Sequence, residues 1–211
     1  MSKVTFKPGT MLNPLPVVMV SCGSMEAPNI VTIAWTGIIN SEPPITYVSI
    51  RKSRYSHELI TQSGEFVINL TTEKLAETTD FCGVRSGREL NKFQERGLTP
   101  IPSDQIGAPM ILESPVNLEC RVMEVKSFPS HDMFIAEILA VHADESLLSD
   151  TGKLRLDKAG LLCYNHGEYY GIHQRPLGRF GYSIMKPKTK KKLEGQKRSA
   201  MRSKKGKTGG R

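Results

Sequence analysis

The run from Asn29 to Ile60, NIVTIAWTGIINSEPPITYVSIRKSRYSHELI, constrains the fold more than any other part of the chain. Two short stretches, Ile30 to Trp35 and Thr46 to Ile50, have the β-branched character of strands. Pro43-Pro44 forbids helix between them. Arg51, Lys52 and Arg54 then lead to Ser56, which is placed to cap a short helix that stops at Gly64. Free backbone N–H groups at a helix start, the helix dipole and a guanidinium fork all favour an anion, and a phosphate of charge roughly −2 suits such a place. A capped surface helix with solvated charges is the plainer account of the same residues.

The rest of the chain reads as further short strands with a few helices. Pro16 to Cys22 is an almost unbroken apolar run of strand length, which predicts burial on both faces. A loop from Cys22 to Pro28 returns the chain antiparallel into Ile30 to Trp35. Glu65 to Thr71 is another strand. Thr72 caps a helix to about Phe81, with Gly83 beyond its end, and Arg88 to Arg96 is a second short helix closed by Gly97. Val116 to Lys126 alternates, with Val116, Leu118, Cys120 and Val122 on one face and Asn117, Glu119, Arg121 and Met123 on the other. Phe134 to Ala143 follows, and Asn165-His166-Gly167 marks a hairpin between Leu161 to Tyr164 and Tyr169 to Ile172. This succession predicts a mainly β fold, an antiparallel barrel decorated by peripheral helices.

A chain of 211 residues holds one domain with a real core, or one domain and a tail. The formal net charge of +8 is unevenly spread. Residues 183–211 carry twelve Lys and Arg against the single Glu194, so the remainder is mildly acidic, with 17 basic and 20 acidic residues. The segment is too poor in large apolar residues to offset its chain entropy, and disorder is the expectation there. Its role is either salt-sensitive, non-specific attraction to nucleic acid or acidic surfaces, or solubility alone. Cys22, Cys82, Cys120 and Cys163 form no CxxC pair, which predicts reduced thiols and a cytoplasmic setting. No apolar stretch approaches the length of a membrane span, and no leader pattern opens the chain. Cys163, Tyr164, His166 and His173 match no standard metal spacing, so no metal site is expected. No G-x-G-x-x-G is present, which excludes a Rossmann fingerprint for a dinucleotide.

Several stretches in order resemble the flavin reductase-like family of FMN-binding split barrels, and within it the flavoredoxin group. They are PLPVV from Pro14, NIVTIAW from Asn29, PPITYVSIRKSRYSHELI, GEFVINL, DFCGVRSGRELNKF followed by GLTP, SHDMFIAEILAV and PLGRFGY. The resemblance spans roughly residues 11 to 182, which places a split-barrel domain at 1–182 and a basic tail at 183–211. It implies a split β-barrel of antiparallel, Greek-key-like build that holds FMN non-covalently, is reduced by NAD(P)H, and passes electrons to flavin, ferric or protein acceptors. The alternatives are an electron-transfer flavoprotein without its own NAD(P)H site, or a nucleic-acid-associated protein acting through the tail. The resemblance further implies a homodimer with flavin sites near the interface.

Residue by residue, the resemblance assigns the strand Asn29, Ile30, Val31, Thr32, Ile33 and Ala34 to the flavin ring. Ser49, Ile50, Arg51, Arg54, Tyr55 and Ser56 fall to the ribityl chain and phosphate. Lys92 is a further contact, where a cation would stabilise negative charge on ring or phosphate. His131 would orient the incoming nicotinamide. The family's form there is Gly-Asp-His, whereas this chain has Pro129-Ser130-His131-Asp132. Trp35 either borders the ring or belongs to the core.

Overall fold

The structure is a computed structural model that describes residues 1–172, 176–186 and 189. The chain divides into one unit, Met1–Gln174, and a second, Arg175–Arg211, whose described part contains a single 3-10 turn at Tyr182–Ile184. The disorder expected of the basic segment falls almost wholly outside the described residues.

In chain order the first unit holds β1 (Leu15–Pro16), β2 (Val18–Gly23), β3 (Pro28–Ile33), β4 (Thr36–Ser41), β5 (Pro44–Arg51), α1 (Tyr55–Ser63) and β6 (Glu65–Leu70). Then come α2 (Ala76–Val84), α3 (Lys92–Arg96), β7 (Pro100–Ile101), β8 (Met110–Ile111), β9 (Val116–Ser127), β10 (His131–Ala143), β11 (Leu162–Asn165) and β12 (Glu168–Gly171). Seven of the strands form one antiparallel sheet in the order β3-β2-β6-β9-β10-β5-β4. The sheet curls, and the Ser49 N–H of β5 donates to the Trp35 carbonyl just beyond β3 at 2.9 Å. The result is the antiparallel barrel expected from the residues, in the split form that the family resemblance implied.

Inside the barrel, Val18, Val20, Cys22, Val31, Ile33, Val48, Ile50, Phe66 and Phe134 pack into one core, which Ile60 of α1 joins. The opposite faces of β2 and β3 send Met19 and Ile30 outward against Cys82 of α2 and Phe93 of α3. Strands sandwiched in this way have no solvent face, which explains the unbroken apolar run from Pro16 to Cys22. Burial pushes the thiols of Cys22 and Cys82 up to about 11 and leaves them protonated. All four cysteines are free. No helix among the described residues is long and apolar enough to cross a membrane.

Some boundaries differ from expectation for physical reasons. Strand β4 was not foreseen, because TGIINS lacks clean alternation and its outer residues Ile38 and Ile39 are exposed. Helix α2 continues through Gly83 to Val84, and α3 begins only at Lys92, where the Asn91 side chain caps it by accepting from the N–H groups of Phe93 and Gln94. Gly64 and Gly97 both end their helices in the left-handed conformation, as their positions predicted. His166 and Gly167, at φ 51° and 95°, make the turn of the β11–β12 hairpin.

The polar face of β9 is the largest departure, since Asn117 and Glu119 are buried. The stretch around Ile101 to Ile111 covers them, and they satisfy its backbone. Asn69 and Asn117 serve Ile111, Asn69 by accepting from its N–H and Asn117 by donating to its carbonyl. The Glu119 carboxylate accepts from Asp104 N–H at 2.9 Å, from Gln105 N–H at 2.7 Å, and contacts His142 Nε2 at 2.6 Å. Burial works against its charge, yet those two N–H groups and His142 together hold the carboxyl below its ordinary range. Glu119→Ala leaves two N–H groups without acceptors, so we expect a loss of about 2 to 4 kcal/mol. Urea unfolding of the variant beside the parent checks this, and an unchanged midpoint would refute the clamp.

Candidate functional site

Two adjoining clefts open along the edge of the barrel where β3 and β5 end and β10 begins. The first, about 370 Å³, is walled by Thr32, Ile33, Ala34 and Trp35 on one side and by Ser49, Arg51 and His131 on another. Asp80, Gly83 and Val84 of α2, with Tyr164 and Tyr169 of the hairpin, complete it. The second, about 280 Å³, lies between the start of α1 at Ser53 to Ser56 and the loop Arg85 to Gly87. Val31, Arg51 and Arg54 line both, so the two spaces meet at a pair of guanidinium groups.

The second cleft is built for an anion. Arg51, Arg54, Arg85 and Lys92 line it, and no carboxylate does. Arg54 is the N-cap of α1, in extended conformation, and no side chain caps the helix, so first-turn N–H groups remain available. Ser56 does not cap the helix as expected. It is the second helical residue, buried, and its Oγ accepts from Asn29 Nδ2 at 2.6 Å, which ties β3 to α1. Gly87 packs directly on Asn29 and Tyr55: a Cβ there would lie 1.9 Å from Asn29 Oδ1 and 3.2 Å from Tyr55 Cδ1.

Lys92 is not a solvated helix residue, being only 3% exposed. Its ammonium donates to the carbonyls of Ile30 at 2.7 Å and Cys82 at 2.8 Å. Burial, set against the opposing pull of Cys82 and reinforced by Arg54, brings its pKa down to about 8.

The first cleft is flatter and mixes small with aromatic residues. The Thr32 hydroxyl donates to the Thr79 carbonyl of α2, and a Cβ on Gly83 would touch Thr32 at 3.2 Å, so α2 lies tight against β3. Trp35 is not core: it is 37% exposed, and its ring centroid is 4.6 Å from that of His131 with the planes 39° apart. His131 opens β10 opposite Arg51 of β5 and shares a 2.8 Å hydrogen bond between Nδ1 and Ser130 Oγ. Burial first, then the neighbouring Arg51 charge, lower its pKa and favour the neutral imidazole. Behind this wall Asp132 accepts from Ser127 Oγ at 2.6 Å, meets His57 Nε2 at 2.8 Å and pairs with Lys52 at 3.3 Å. The Ser127 hydroxyl, aided by His57 and Lys52, holds the Asp132 carboxyl down at about 2.

Of the residues singled out from the sequence, Val31, Thr32, Ile33, Ala34, Ser49, Arg51, Arg54 and His131 line the first cleft. Asn29, Tyr55, Ser56 and Lys92 line the second. Ile30 and Ile50 line neither, because strand alternation turns both side chains into cores. Ile30 still contributes its carbonyl to Lys92. Arg85, Ser86 and Gly87 went unassigned, although they lie in the quoted stretch DFCGVRSGREL, and so did the wall formed by Asp80, Tyr164 and Tyr169.

A split barrel whose open edge carries a cleft of small and aromatic residues meeting a cationic helix start defines a class, that of the flavin reductase-like barrels. The chain belongs to that family: the model of the flavin reductase like domain matches residues 10–173. The structure is similar to flavoredoxin of Desulfovibrio vulgaris (Miyazaki F), 31% identical at a TM-score of 0.80, covering 86% of this chain and all of that one. It is also similar to an FMN-binding protein of Thermus thermophilus with bound 1-cyclohex-2-enone, 25% identical at a TM-score of 0.71, covering 85% and 98%. An uncharacterized protein of Archaeoglobus fulgidus is 37% identical over 134 residues, 63% of this chain and 75% of that protein.

An anion beside Lys92 favours its protonated form, so anion affinity is level below pH about 8 and falls above it as the ammonium is lost. Sulfate, whose own charge is constant over this range, is the suitable probe. Calorimetric titration from pH 7 to 9.5 should show the decline for the parent and a weaker, pH-independent affinity for Lys92→Met. A flat parent profile would remove Lys92 from the anion site.

Proposed function

We propose that the chain is an FMN-binding oxidoreductase that takes reducing equivalents from NAD(P)H and hands them to a flavin, ferric or protein acceptor. The observation that carries this reading is the junction of a cleft of about 370 Å³, lined by small and aromatic residues, with a cleft lined by four cationic side chains and an uncapped helix start. The residues fit the cofactor. Thr32, Ala34, Ser49 and Gly83 are small enough to let a ring lie against backbone, and the cations answer a terminal phosphate. The names of the flavoredoxin and FMN-binding relatives support the same choice.

In this reading Arg51, Arg54 and Arg85 hold the phosphate together with the first-turn N–H groups of α1, and Lys92 adds a buried charge. Val31 to Ala34 present the strand edge to the ring. His131, neutral and propped by Trp35 and Ser130, faces the slot and orients the nicotinamide without adding charge to the path of the donor. FMN supplies the hydride- and electron-accepting chemistry when bound, so no side chain has to serve as nucleophile. The protein works as a homodimer in a cytoplasmic setting. Edge strand β4, with Ile38 and Ile39 exposed, is the surface that supports pairing.

Two measurements test the reading. The purified full chain should take up FMN and turn yellow, and Arg54→Ala should weaken FMN binding by about 1.5 to 3 kcal/mol through the lost charged hydrogen bonds. Stopped-flow addition of NADH or NADPH should bleach the bound flavin. Failure of both donors at millimolar concentration would leave an electron-transfer flavoprotein, and failure to bind FMN would end the proposal.

A further inference from the structure

We infer that Arg88, acting through Tyr55 and Glu58, holds shut the wall of the anion cleft formed by Tyr55 and Gly87 and restricts it to a terminal monophosphate, so that FMN is accepted and FAD is refused. The inference rests on the flavin reading above and adds a residue that selects between ligands of one chemical class. One end of the cleft opens on the ring slot through Val31, Arg51 and Arg54. At another place its two walls touch: the loop Arg85 to Gly87 meets the start of α1 where Gly87 abuts Asn29 and Tyr55, with no room even for a Cβ.

Arg88 follows directly and pins loop to helix twice. Its guanidinium lies 4.9 Å from the centroid of the Tyr55 ring and donates to Glu58 Oε2 at 2.6 Å. Its own N–H donates to Ser86 Oγ at 3.2 Å, which stiffens the loop behind the contact. Neither Arg88 nor Glu58 lines the cleft. Arg88 is therefore a positioning residue, and what it holds in place is Tyr55 and Gly87.

The chemistry of the two flavin nucleotides differs at this wall. A phosphate monoester ends the ligand and carries up to two charges, which suits Arg51, Arg54, Arg85 and Lys92 gathered without a carboxylate. In FAD the same phosphorus carries one ester bond, one anhydride bond and a single charge, and the ligand has to continue outward as a second phosphate and adenosine. With loop and helix pinned together, that continuation meets Gly87 and Tyr55.

The test is calorimetric titration of the full chain with FMN and FAD, for the parent, Arg88→Ala and Glu58→Gln. The parent should bind FMN at least tenfold more tightly than FAD. Arg88→Ala should narrow that ratio at least fivefold, mainly by tightening FAD, with the Kd for FMN changing less than threefold, and Glu58→Gln should move it the same way by less. Arg88 and Glu58 are each about half exposed, so melting temperatures should stay close to the parent's. Equal affinity of the parent for both nucleotides, or a ratio unchanged in both variants, would overturn the inference. Thermal shift with inorganic phosphate and with pyrophosphate separates this from the flavin reading. If no flavin binds, yet phosphate stabilises the parent more than pyrophosphate and Arg88→Ala erases the difference, the wall stands and the flavin reading falls. If that difference is missing as well, both fall.

Discussion

The ammonium of Lys92, lodged between the carbonyls of Ile30 and Cys82, joins the parts on which the site depends. It links the outer strand of the barrel to the end of α2 and to the first turn of α3. A buried lysine is costly unless its donors are met. Two of its three are met by backbone, and the side chain lines the anion cleft. The same group therefore locks two helices onto the sheet and lends that cleft a positive charge.

The double burial of β2 and β3 sets the remaining geometry. One face fills the barrel and the other seats α2 and α3, so β3 is held between two packed layers and is buried from Asn29 to Val31. Across the cleft, β10 begins opposite the end of β5, which brings His131 beside Arg51. The carboxylate of Asp132, bonded to Ser127 and His57 and paired with Lys52, ties β9, α1 and the end of β5 behind them. The cleft side chains are thus held from the rear by a polar cluster that none of them belongs to.

Much of this was legible in the residues, and the failures have physical causes. Gly64 and Gly97 marked helix ends because a left-handed residue has few substitutes, and Asn165-His166-Gly167 marked a hairpin for the same reason. The basic turn from Arg51 to Arg54 was visible because local charge and a helix start coincide. Facing was harder to read. Ile30 and Ile50 sit within the right strands, yet period-two alternation turns them to cores, and Asn117 and Glu119 are buried because a distant segment folds over them. The wall made by Arg85 to Gly87 was hidden because it becomes a wall only by packing on Asn29 and Tyr55, more than thirty residues away.

The exposed indole of Trp35 has a consequence for how the molecule can be observed. It is the sole tryptophan of the chain, and it stands at the mouth of the slot against the His131 imidazole. Indole emission, excited at wavelengths beyond the absorption of the six tyrosines, therefore comes from a single fluorophore seated where a guest would arrive. The fold carries its own optical gauge of occupancy.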